Sequence, residues 1–67
     1  MLCIETELEE DGRWLAEVPA LPGAMTYGAT AVEARSKATS LALHAIAERV
    51  EQGEALPCEL AGLFQIA

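Results

Sequence analysis

The chain has 67 residues, 52% of them hydrophobic, with 11 acidic against 4 basic side chains and a formal charge of −7. That apolar content excludes a disordered tail, and that acidity argues against a nucleic-acid surface, which releases counterions from phosphate through basic grooves. A core of this size supplies only about 3–5 kcal/mol without staples, metal or self-association, so the expectation is one domain over 1–67 with apolar surface left for an interface.

Residues 2–9 alternate. Leu2, Ile4, Thr6 and Leu8 fall on one side, and Cys3, Glu5, Glu7 and Glu9 on the other. Period two predicts a strand with one wet face. Asp11-Gly12 is a tight-turn signal. A second strand follows over 13–18, with Trp14, Ala16 and Val18 on one face and Arg13, Leu15 and Glu17 on the other. The pair predicts an antiparallel hairpin. Pro19 ends the second strand by withholding a ladder donor, and Pro22-Gly23 sets up a turn before a short third strand over 25–28.

Thr30-Ala31-Val32-Glu33 matches a capping box, so a helix is expected from Ala31 to about Gln52, stopped by Gly53. Ala34, Ala38, Leu41, Ala42, Ala45 and Ile46 form its apolar stripe, and Glu33, Lys37, Ser40, His44, Glu48 and Glu51 its wet side. The many alanines imply a thin helix packed close to the sheet. After Pro57, Leu60, Gly62, Phe64 and Ile66 alternate with Ala61, Leu63 and Gln65, which reads as a final strand. The expected fold is α+β in the order β-β-β-α-β, a small antiparallel sheet with one helix on one face.

The stretch 12–34 carries an ordered series. It begins with Gly12, Trp14, Glu17 and Val18 and continues through Pro19-Ala20-Leu21-Pro22-Gly23. Thr26, Gly28 and Thr30 follow, then Glu33-Ala34. This series resembles the N-terminal domain of HicB antitoxins, and with the strand order on either side the resemblance spans essentially the whole chain. Ala24 and Ala29 stand where that pattern commonly has Cys and Asp. The resemblance implies a partial, degenerate RNase H-like fold. It also implies a non-catalytic module that binds and blocks a HicA-like toxin, a small basic ribonuclease. With the chain ending at Ala67, the expectation is a domain without the family's C-terminal DNA-binding segment.

A two-metal nuclease needs several converging carboxylates. Here Glu5, Glu7 and Glu9 line one strand, and the chain's one Asp, Asp11, sits in a turn. His44 falls on the wet helix side, and Cys3, Cys58 and His44 lack metal-ligand spacing. Cys58 reads as a small packing residue near the last strand, and Trp14 and Tyr27 as core or interface anchors. No catalytic, cofactor or metal residue is therefore expected. Two cysteines far apart do not make a disulfide framework. No signal pattern precedes Glu5 and Glu7, and no apolar stretch approaches the ~18–20 residues of a membrane span. The expectation is a cytoplasmic protein with reduced thiols.

The expected function is the first of three readings, with the second as its alternative and the third last. In the first, Glu5, Glu7, Glu9 and Glu17 form an acidic face that steers a small basic protein into a complex. In the second, the chain is a stand-alone self-assembling domain. The third is a residual RNase H-like nuclease. Under the first two, a homo-oligomer, dimer or tetramer, is expected through Leu15, Leu63, Phe64 and Ile66.

Overall fold

A computed structural model describes residues 2–62 and 64. Three strands, β1 (Glu5–Leu8), β2 (Trp14–Glu17) and β3 (Met25–Gly28), precede a long helix α1 (Ala31–Glu51) and a short one, α2 (Cys58–Ala61). The sheet is antiparallel with β2 in the centre. The α+β arrangement of three strands followed by one helix packed on them is the expected one.

Each connection has a local cause. Between β1 and β2, the Asp11 carboxylate accepts from the Arg13 amide at 3.0 Å and from Arg13 Nε at 2.7 Å. Between β2 and β3, the Ala24 amide donates to the Leu21 carbonyl at 2.9 Å across Pro22-Gly23. Gly23 has φ +89°, the left-handed value that the third position of a type II turn requires. At the start of α1 the Thr30 hydroxyl accepts from the Glu33 amide at 3.1 Å. The Glu33 carboxylate is held mainly by Lys37, at 3.0 Å, which keeps its pKa below the ordinary value.

The helix face of the sheet is closed by small residues. Ala16 of β2 and Ala34 and Ala38 of α1 are fully buried against one another, with Ile4 and Trp14 at their margin. Gly28 belongs to this contact. A Cβ there would lie 2.7 Å from the Ala34 backbone nitrogen, a distance that no side chain tolerates. The Thr26 hydroxyl donates to the Ala34 carbonyl at 3.0 Å and ties β3 to the same turn of helix. Alanine and glycine thus set a short sheet-to-helix separation that larger side chains would prop open.

Further along α1, Ala42 and Ile46 join Val18, Leu21 and Ala24 in a second cluster, flanked by Leu2, Ile4, Leu56 and Leu60. A 21-residue helix is about 31 Å long and a four-residue strand about 13 Å, so the C-terminal half of α1 runs past the sheet. Leu41, assigned to the middle of the apolar stripe from sequence, lies at its exposed margin.

The expected final strand over 60–66 is corrected at its start. Leu60 and Ala61 belong to α2, where the amides of both donate to the Pro57 carbonyl at 2.9 and 3.1 Å. The alternation of Leu60, Gly62 and Phe64 had the period of a strand. Pro57 instead begins a helical turn that presses Leu60 towards the cluster around Ile46. Leu63, Gln65 and Ile66 lie outside the described residues. Cys58, expected to pack, is exposed at the first position of α2.

Candidate functional site

The pleat of a three-stranded sheet sends alternate residues of every strand to the face away from α1. Register turns that rule into a grid of two rows. Glu5, Glu17 and Met25 lie side by side in one row, and Glu7, Leu15 and Tyr27 in the other. The helix-facing rows are Thr6, Ala16 and Thr26, then Leu8, Trp14 and Gly28. The open face is therefore an acidic β1 side grading across Leu15 into Met25 and Tyr27, both exposed.

Its electrostatics are unbalanced. Glu5 stands directly across from Glu17, a like-charge pair that costs a sheet about 0.2–1 kcal/mol. Arg13 sits at the far end of the grid. It is engaged twice there, by Asp11 at 2.7 Å and by the ring of Tyr27, whose centroid lies 4.2 Å from the guanidinium carbon. The Arg13 amide, and next its side chain, hold the Asp11 carboxyl below its ordinary pKa.

The structure brings three of the four sequence-predicted binding residues together. Glu5, Glu7 and Glu17, with Leu15 and Thr6, line a depression of about 310 Å³. Glu9 stands beyond the end of β1, where it lines a neighbouring depression of about 460 Å³ with Glu7, Glu10, Asp11, Arg13 and Tyr27. Glu7 belongs to both hollows, so the two form one continuous acidic surface along β1.

The residues expected to form an oligomer interface are not brought together. Leu15 is half-buried at the centre of the acidic grid. Phe64 instead lines a different hollow of about 530 Å³ with Leu43 and Val50 of α1 and with Leu56 and Leu60. Leu63 and Ile66 lie outside the described residues. The sequence reading missed Leu43 and Val50 as surface features, although neither had a place in the buried stripe. It also missed Met25 as a member of the open face, and it had Tyr27 as a core or interface anchor without placing it on that face. Period two applied to β3 finds those two only once its register with β2 is known.

His44 is exposed on α1, and among the described residues no group of three or more His, Cys, Asp or Glu side chains is placed to hold a metal ion. No described helix is long and apolar enough to cross a membrane. Compared with protein-family models, with curated proteins and with solved structures, the chain matches none.

Proposed function

We propose that this protein is a HicB-like, non-catalytic binding module that sequesters a small basic protein, a HicA-like ribonuclease toxin, through the open face of its sheet. The observation that carries the reading is the placement of Glu5 across from Glu17, with Glu7 in the next row beside Leu15. Two carboxylates opposed on a strand pair cost the sheet stability, and a cationic partner would remove the repulsion on docking. Leu15, Met25 and Tyr27 add the apolar and aromatic contact that an interface centre needs, with the acids as its charged margin. The chain's −7 charge would draw a basic partner in from a distance. The ordered series from Gly12 to Ala34 supports the HicB-like assignment alongside this geometry.

The test is stopped-flow association of the whole chain with a HicA-type toxin at several salt concentrations. Reversing Glu5 and Glu7 to Lys is expected to slow association about tenfold or more at low salt, with the rates converging at high salt. Association of equal rate in wild type and variant at every salt concentration would place the partner elsewhere. Failure of the wild type to bind such toxins at all would remove the reading.

A further inference from the structure

The pleat that sends side chains to two faces also sends backbone groups to the two sides of a strand. Beside the hairpin turn, the Glu9 amide donates to the Arg13 carbonyl at 2.8 Å. Hydrogen-bonded pairs recur at every second residue of an antiparallel ladder, so in this register Glu7 and Glu5 also turn their amides and carbonyls towards β2. Thr6 and Leu8 turn theirs the other way. β1 is an outer strand, and no described strand lies beyond it to meet those groups.

The other outer strand is less open. The Val18 amide donates to the Ala24 carbonyl at 3.0 Å, which by the same alternation turns Met25 and Tyr27 outwards on β3. The Met25 amide is taken there, by the Gly23 carbonyl at 3.0 Å. The helix α1 also lies mainly across β2 and β3. Leu8 belongs to the helix-facing row with Trp14 and Gly28, yet it is 56% exposed. Thr6, in the other helix-facing row, is exposed as well. β1 therefore lacks cover along its edge and on both faces.

We propose that the outer edge of β1 takes an added antiparallel strand from a basic polypeptide, one in which Lys or Arg alternates with apolar side chains. The proposal deepens the binding function above and rests on its basic partner, though not on that partner's being a toxin. Strand pairing dictates the partner's pattern. Its positions across from Glu5 and Glu7 lie on the open face, where cations meet the carboxylates. Its positions across from Thr6 and Leu8 lie on the helix side, where apolar side chains cover Leu8. The same charges select against a second copy, whose β1 would set glutamates against glutamates.

Amide hydrogen exchange of the whole chain, read by NMR, tests it with a synthetic peptide of alternating Lys and Val as the probe. Saturating peptide is expected to slow exchange of the Thr6 and Leu8 amides about tenfold or more. Antiparallel pairing points the peptide's valine amides at β1 and its lysine amides away. N-methylation of the valines is therefore expected to weaken binding about tenfold or more, and N-methylation of the lysines to leave it unchanged. Thr6→Pro removes an outward donor and no ladder bond, so a folded variant with affinity for the peptide about tenfold lower is expected. Should Thr6→Pro unfold, the methylated peptides decide. Three results would overturn the proposal: no peptide binding at millimolar concentration, equal affinity of the two methylated peptides, or binding that leaves the Thr6 and Leu8 amides exchanging as in the free chain. A HicA-type toxin that binds with those two amides unprotected would likewise overturn strand addition, while the function proposed above would stand. Peptide pairing without toxin binding would remove that function and support strand addition.

Discussion

The two halves of α1 bury different kinds of surface. In the first half Ala34 and Ala38 lie fully buried against Ala16, with Gly28 beside them and no space between helix and sheet. In the second half Ala42 and Ile46 meet Val18, Leu21 and Ala24, and beyond them a hollow of about 530 Å³ stays open. The first contact is narrow and closed, so its strength lies in exclusion of error rather than in area. The second buries larger side chains but has too few elements around it to close. A short sheet under a long helix forces this division, and it leaves the second half as the place where further chain can be accommodated.

The largest expected effects break the tight half. Gly28→Ala puts a methyl 2.7 Å from the Ala34 nitrogen, and the neighbour is backbone, which cannot swing aside. The expected loss is about 3 kcal/mol, at the upper end of the overpacking range, read as the shift in urea midpoint. Ala38→Leu and Ala47→Leu make the comparison directly, since they are the same change on one helix. Ala38 is fully buried, and enlarging it is expected to cost about 2–3 kcal/mol. Ala47 is exposed on the open hollow, and enlarging it is expected to change stability by about 0.5 kcal/mol or less. Equal costs at the two positions would mean that the halves do not differ in room.

How far this division was legible in the sequence depends on range. The helix start was readable because Thr30 and Glu33 are three residues apart and their contact is local. The alternation in β1 and β2 was readable for the same reason, and it placed Glu5, Glu7 and Glu17 on one face correctly. That Glu5 opposes Glu17 is a matter of register, set by the Asp11 turn, and alternation alone does not fix it. The segment after Pro57 misled because three alternating apolar residues fit either structure. What decided for α2 is non-local, the packing of Leu56 and Leu60 beside Ile46. The open hollow was illegible from the same cause, since it exists only by the overhang of α1 beyond the strands.

A smaller effect carries the comparison across the sheet. Ala16 and Glu17 are neighbours on β2, one turned to the closed side and one to the open side. The closed side punishes change, whereas the open side should reward it. Glu17→Lys replaces a like-charge pair with an opposite one across from Glu5. It is expected to raise stability by about 0.5 kcal/mol at low salt, with the gain fading as salt rises. The same variant is expected to weaken binding of a basic partner, and stability gained together with binding unchanged would detach the acidic face from the function proposed for it.

The smallest expected effect lies at the tight end of the molecule, in the turn that leads into Trp14. The Asp11 carboxylate there accepts from both the amide and the side chain of Arg13. These bonds, the amide first, stabilise the ionised form and lower its pKa from 3.8. A lowered pKa in the folded state means that the ionised carboxylate supports the fold at pH values above the unfolded value. That support fades as pH falls through the lower, folded one. Asp11 is fully exposed, so solvent screens the effect and the turn rather than the whole fold should report it. The carboxyl chemical shift of Asp11, followed by NMR, is expected to titrate with a midpoint below 3.8. Exchange of the Arg13 amide with solvent is expected to lose protection over the same pH interval. Asp11→Asn keeps an oxygen for that amide but has no charge to lose, so its protection should not follow that interval. A wild-type midpoint at or above the ordinary value would mean that the turn is open in solution. The register that opposes Glu5 to Glu17 would then have to be held by the helix side alone.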